Sequence, residues 1–184
     1  MCRRLSVVAY LVSVLFFWNV SLAFVTTDGE LAELLASFKT LRADFVQRNP
    51  DGTKSTGVVF LSLPHRFKIV YQDSGISISG NKGMITYHDS ELQETRKFFM
   101  SRGDPFLKML SNVGKLSQYH RIKKAGLSYL ETSSNGRKCS IVVQEKPFQI
   151  KEIIFENESG EVTHMTFSKA HYNLTLSNDA FALP

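Results

Sequence analysis

The 184-residue chain has only two cysteines, Cys2 and Cys139. With Cys2 in an N-terminal leader, a single thiol remains, so no internal disulfide forms and the core alone must stabilise the fold. Strong charge of either sign is also missing: 22 Lys+Arg against 17 Asp+Glu give +5. No Lys/Arg cluster with interleaved aromatics occurs, which leaves no footprint for nucleic acid; a mildly basic surface is compatible with visiting anionic membranes. Catalytic signatures are absent too. There is no G-x-S-x-G and no H-E-x-x-H, and no Gly-rich loop precedes a helix to cradle phosphate. His65, His88, His120, His164 and His171 show no ligand spacing. His88-Asp89-Ser90 has the letters of a triad, but consecutive residues do not orient one another on that account. These absences predict no catalytic residue, no metal and no cofactor. No linker, low-complexity tract or internal repeat divides the chain.

The one long apolar run is at the start. A basic head, Cys2-Arg3-Arg4, precedes Leu5–Trp18, and Ser21-Leu22-Ala23 places small residues for cleavage after Ala23. That predicts a secretory signal peptide over 1–23, an exported protein and a single domain over 24–184. The alternative, an uncleaved anchor, draws on the apolar residues at Val20–Val25, but Leu5–Trp18 alone is too short to span a hydrocarbon core of about 30 Å. Cys2 lies before the apolar run and so cannot be the lipidated cysteine of a lipoprotein signal. Without Arg3 and Arg4 the basic count falls from 22 to 20 against 17 acids, a net charge of +3.

Gly57–Tyr71, GVVFLSLPHRFKIVY, reads as two strands joined through Leu63-Pro64-His65. Val59, Leu61 and Leu63, then Phe67, Ile69 and Tyr71, alternate at period two and share one face of an antiparallel pair. Val58 and Phe60 occupy the other face. Upstream, Thr27-x-x-Glu30 is a capping box, opening a helix with Leu31, Leu34, Leu35 and Phe38 on one side. Leu41–Gln47 then shifts to period two around Ala43, Phe45 and Val46. Asn49-Pro50-Asp51-Gly52 is a turn.

Farther on, Gly75–Ser79 alternates Ile76 and Ile78 with serines, Gly80-Asn81-Lys82-Gly83 turns the chain, and Met84–His88 alternates again. Leu92–Met100 is a further strand. Asp104-Pro105 is an N-cap with proline at the first helical position. The short helix Pro105–Ser111 carries Phe106, Leu107, Met109 and Leu110. Expected strands follow at Tyr119–Lys123, Leu127–Glu131, Lys138–Gln144, Ile150–Phe155, Val162–Ser168 and His171–Leu176, with hairpin signals at Asn135-Gly136 and Glu158-Ser159-Gly160. Cys139 reads as a buried small hydrophobe.

Many short strands with regular turns predict a mainly β protein with a few α-helices, an antiparallel barrel or strongly curved sheet. Two helices are too few for alternating βαβ units. An incompletely closed barrel can leave a cavity mouth, which an apolar helix could cover. On the residues alone, alternating apolar strands more often form a filled core than a cavity, and Phe106–Leu110 fits either a plug or a lid.

The helix ending in SFKTLRADFVQ is followed by Gly57, Leu61, Pro64, Phe67 and Tyr71 in G-x-x-x-L-x-x-P-x-x-F-x-x-x-Y. ISISGNKGMITYH, the D-P-F-L helix, ESGEVTHMTFS and the final DAFALP then come in order. In order and spacing this resembles the LolA family of periplasmic outer-membrane lipoprotein carriers. The resemblance spans the mature chain, most strongly Leu31–Asn112. It implies an unclosed antiparallel half-barrel with a helical lid over an apolar cavity. It also implies a soluble monomer that binds the acyl chains of lipoproteins, takes them from an inner-membrane lipoprotein-releasing ABC transporter and hands them to an outer-membrane receptor lipoprotein. The cavity set it implies is Phe45, Val59, Leu61, Leu63, Phe67, Ile69, Tyr71 and Met84, with Phe67 matching the family's transfer-cavity phenylalanine. The lid set is Leu31, Leu34, Leu35, Phe38, Phe106, Leu107, Met109 and Leu110. Family members often carry an arginine just before the proline, latching the lid; this chain has Leu63 there, and Arg66 has the opposite strand parity. Two other readings remain: an envelope module on the same fold that senses lipid or lipoproteins, and a secreted β-rich hydrolase. Asn157-Glu158-Ser159 and Asn173-Leu174-Thr175 are glycosylation triplets that matter only in a eukaryotic source.

Overall fold

Period-two alternation recurs along the chain, and nearly every strand turns back on the one before it. The computed structural model describes residues 28–99, 104–111, 115 and 119–182. The leader, the Thr27 end of the capping box, Asn112, and Leu183-Pro184 of the DAFALP ending lie outside the described residues. The order is α1 (Asp28–Ser37), β1 (Thr40–Arg48), β2 (Lys54–Ser62), β3 (Arg66–Tyr71), β4 (Ile76–Asn81), β5 (Met84–Asp89), β6 (Glu94–Phe99), α2 (Pro105–Ser111), β7 (His120–Lys124), β8 (Leu127–Ser134), β9 (Arg137–Gln144), β10 (Gln149–Glu156) and β11 (Val162–Tyr172), then a 3-10 turn, Asn178–Phe181.

The strands form one antiparallel sheet of eleven, ordered β6-β5-β4-β3-β2-β1-β11-β10-β9-β8-β7. Only the central β1–β11 pairing joins strands distant in sequence. The free edges, β6 and β7, follow one another in the chain, and their connection carries α2. The sheet is thus an up-and-down barrel slit between β6 and β7. It is strongly curled: a flat sheet would hold β3 and β10 about 19 Å apart, yet the Phe106 ring touches both, 5.2 Å from Phe67 and 5.6 Å from Phe155. Lys123, Lys124 and Arg121 on β7 put charge on a free edge, a common protection against edge-to-edge pairing.

Two expectations about strands are corrected. Val162–Ser168 and His171–Leu176 are one strand, β11, ending at Tyr172. Lys169 takes φ 47°, and Lys169-Ala170 together face Ala43 between the pairs Ser168–Asp44 and His171–Arg42. This is a bulge, which inserts a residue without ending the strand; the sequence looks like a turn because the left-handed residue is there. Gly80 and Asn81 belong to β4 rather than to the following turn. Asn135-Gly136 makes the expected hairpin, with φ 52° and 72°, the doubly positive pair of a type I′ turn.

One apolar cluster fills much of the interior. Leu31, Leu35 and Phe38 from α1 and its C-terminal exit pack on Leu41, Leu61, Ile150 and Phe167, and Phe106 and Met109 enter from α2. Cys139 is fully buried beneath α2, its Sγ 3.6 Å from Met109 Sδ. Ionic ties hold α1 to the sheet: Arg121 of β7 pairs with Asp28, and with Glu145 at 2.6 Å, and Ser128 donates to the same Glu145 carboxylate. Asp104 caps α2, accepting the Phe106 N–H at 2.9 Å, and pairs with Arg137 of β9 at 3.1 Å. The outer face of β3 is covered by the C-terminal turn. Arg66 donates to Asn178 at 3.0 Å and stacks on Phe181 at 4.2 Å, while Lys68 donates to the Ala182 carbonyl. No helix among the described residues is long and apolar enough to cross a membrane.

Candidate functional site

Cross-strand register puts Phe67 of β3 opposite Leu61 and Gly80, Ile69 opposite Val59 and Ile78, and Ile85 opposite Gly80 and Phe98. Of these, Phe67, Ile69, Ile78, Ile85 and Phe98, with Phe106 from α2 and Phe155 from β10, wall a cavity of about 390 Å³. Its rim carries the polar residues Asp104, Arg137 and Lys138, and Asn157 and Glu161 from the β10–β11 turn, beside Pro50 from the β1–β2 turn. Gly80 makes room for the Phe67 ring; a Cβ at this position would lie 2.1 Å from Phe67 Cε1. The ring therefore lies across β4 and pairs edge-on with Phe106.

The rim is internally paired. Arg137 reaches Asp104 at 3.1 Å and Glu158 at 3.6 Å. Asn157 Oδ1 accepts the Ser159 and Glu161 N–H groups, and its Nδ2 donates to Glu161 Oε2 at 2.7 Å. Below the rim the wall is hydrocarbon and aromatic. Burial pushes the Cys139 thiol up, and Asp104 adds to the effect, so the thiol is protonated and inert at neutral pH. Among the described residues, no group of three or more His, Cys, Asp or Glu is placed to hold a metal ion. An enclosure of this kind can take an apolar molecule out of water and leave a polar end at the rim.

The expected cavity residues separate into four places. Phe67 and Ile69 line the open cavity. Leu61 and Leu63 face a void of only about 10 Å³, shared with Phe38, Phe106 and Met109. Phe45 and Val59 lie buried in the core; Tyr71 packs edge-on against Phe45 with rings 5.4 Å apart and donates its hydroxyl hydrogen to Gln47. Met84 is on the other face, since its neighbour Ile85 points inward; it shares a shallow basin with Arg66, Asn81 and Phe181. Arg66 has the outward parity expected of it.

Of the expected lid residues, Leu31, Leu35, Phe38, Phe106 and Met109 are buried. Leu34 is half-buried on the flank of α1, beside Glu30, Glu145, Lys146 and Pro147. Leu107 and Leu110 belong to α2, with side chains outside the described residues. Sequence reasoning did not single out Ile85, Phe98 or Phe155 for the cavity, nor the Asp104–Arg137 rim. Ile78 was visible as an apolar residue alternating with serines, and its register against Ile69 would have added it.

Residues 36–184 match the family model described as outer membrane lipoprotein carrier protein LolA. No curated protein sequence matches the chain. Solved structures share the fold at low identity. A domain described as an outer membrane lipoprotein-sorting protein, from Vibrio parahaemolyticus, aligns with TM-score 0.52 and 10% identity over 83% of this chain and 95% of that one. A DUF1329 family protein from Desulfovibrio piger gives 0.53 and 10% over 84% and 95%. An uncharacterized conserved protein from Thermus thermophilus gives 0.52 and 9% over 84% and 90%.

Proposed function

The chain belongs to the LolA family of outer membrane lipoprotein carrier proteins, and from that premise we propose that it is a soluble periplasmic carrier that shelters the acyl chains of lipoproteins. The observation that carries this reading is the apolar cavity of about 390 Å³ at the open end of the sheet. Phe67, Ile69, Ile78, Ile85 and Phe98 receive the chain, and α1 and α2 serve as the lid. The leader is cleaved near Ala23 and the mature domain, 24–184, works as a monomer. Cargo comes from an inner-membrane lipoprotein-releasing ABC transporter and goes to the outer membrane, where a receptor lipoprotein accepts it.

The energetics favour an enclosure over a surface patch. Each acyl methylene left in water costs about 0.8 kcal/mol. A lipoprotein with several long chains therefore meets a barrier of some tens of kcal/mol to free diffusion. The carrier replaces bilayer with hydrocarbon wall, and the polar rim leaves the cargo's headgroup and polypeptide in water. Moderate affinity permits release.

The test is co-purification of the mature protein from an envelope extract, followed by mass spectrometry of what leaves with it. Lipoprotein bound one to one, and lost or trapped in Phe67→Glu with the circular dichroism unchanged, is the expected result. Free lipid without lipoprotein would instead favour a lipid-sensing module on the same fold. That second reading draws on Leu63, which faces the filled void and offers no hydrogen-bond donor of the kind the family's latch arginine supplies. An empty protein, still empty when offered lipoproteins and their transporter, would refute both.

A further inference from the structure

We propose that Phe106 is the inner end-stop of the cavity, the side chain that sets how long an acyl chain the closed protein accepts. The proposal rests on the acyl-carrier reading above and assigns a specificity residue to that site. Among the described residues, Phe106 is the one aromatic that borders both the open cavity of about 390 Å³ and the void of about 10 Å³. Its ring is braced on both sides, 5.2 Å from Phe67 and 5.6 Å from Phe155, each edge-on. These three rings form a partition across the curled sheet from β3 to β10.

The chemistry beyond the partition is the same as in front of it. The inner void is bounded by Phe38, Leu61, Leu63, Ile150 and Phe167, with no polar side chain. Among these lining residues no polar group opposes a hydrocarbon chain that runs on past the ring toward α1. At about 10 Å³ the inner space is at or below what a water molecule needs, so it is closed by packing rather than occupied. The outer space lies near the lower end of ligand pockets, which run from about 300 to 1,000 Å³.

Phe106 is held where a stop must be. Its own N–H bonds to Asp104 Oδ1 at 2.9 Å, and the other oxygen of that carboxylate pairs with Arg137 of β9 at 3.1 Å. One turn on, the Met109 carbonyl accepts the Tyr119 hydroxyl at 3.0 Å. The start of α2 is thus fixed to the sheet, and the ring with it.

The experiment is a binding series with saturated fatty acids of increasing length, on wild type, Phe106→Leu and Phe106→Ala, each checked for native circular dichroism. In wild type, affinity should rise about fourfold per added methylene and then level off at a definite length. In Phe106→Ala the levelling point should move to longer chains; Phe106→Leu should fall between, and supplies the answer if the alanine variant does not fold. The same levelling point in wild type and in every folded variant would overturn the end-stop while leaving the carrier reading intact. Failure of wild type to bind any fatty acid or acylated peptide would remove the carrier reading and the end-stop together.

Discussion

The two ends of the curled sheet are made from the same strands and the same kinds of residue, yet one is filled and the other hollow. Beneath α1, Leu61 and Leu63 of the β2 end meet Phe38, Ile150 and Phe167 with about 10 Å³ left over. Toward the β1–β2 and β10–β11 turns, Phe67, Ile69, Ile78 and Ile85 enclose about 390 Å³. The strands do not distinguish these ends; what covers them does. Leu31 and Leu35 add a second layer over one, pinned through Asp28 and Glu145 to Arg121. Over the other, among the described residues, Phe106 of α2 reaches across where β6 and β7 leave the barrel slit. Among the described residues the two ends differ in their covering layer, and hydrophobic alternation is equally present at both.

The largest expected effect contrasts two phenylalanines. Phe45 is 2% exposed and packs edge-on to Tyr71. Phe45→Ala should lower unfolding free energy by about 3–5 kcal/mol in urea titration. Phe98 lines the cavity yet is 52% exposed on a free edge. Phe98→Ala should stay within about 0.5 kcal/mol of wild type while weakening binding of an acyl probe. Equal losses of stability at both positions would mean that the open end is core after all.

Next comes Gly80, which lies against the Phe67 ring of the open end. A methyl group there would press on the Phe67 ring, so Gly80→Ala should cost about 1–3 kcal/mol by overpacking and push the ring into the cavity, lowering acyl binding as well. Adding Phe67→Leu should recover stability, since the smaller side chain gives way. A Gly80→Ala protein as stable as wild type would show that Phe67 has free space to move into.

Much of the fold was legible because its signals are local. Alternation marked the strands, Asn135-Gly136 marked a hairpin and Asp104-Pro105 a helix start. The misreadings have local causes as well. Lys169 looks like a turn residue because it adopts a left-handed φ inside a bulge. Gly80 looks like a turn residue because it lacks a side chain, but it lacks one to admit Phe67. In Met84–His88 neither parity is clearly polar, so the choice between Met84 and Ile85 depended on register, and a shift of one residue reverses every side chain. Phe67 and Ile69 were within reach of a local argument. Phe155 was not, because only the central β1–β11 pairing and the curl of the sheet bring β10 opposite β3.

The smallest expected effect tests the filled end by pH. Burial holds the Tyr119 phenol above its ordinary value of 10.0, and Cys139 beside it raises it further. Burial also raises Tyr172, against which Phe38 packs edge-on at 5.7 Å, with a partial offset from the Ile150 N–H. A phenol whose folded value is raised keeps its proton after the unfolded chain has lost it. Folding is then linked to proton binding, and stability falls as pH rises past the unfolded value of 10.0. Below that pH these groups leave stability flat. Urea midpoints followed from neutral pH to about pH 11 should therefore hold and then drop. Tyr119 gives the sharper handle: its phenolate could no longer donate to the Met109 carbonyl that steadies α2. Tyr119→Phe should lose a little stability at neutral pH and lose less than wild type above the transition. If it instead tracks wild type at every alkaline pH, Tyr119 is not among the groups whose ionisation opens the packed end, and the other phenols and thiol raised by burial, Tyr71, Tyr172 and Cys139, account for the drop.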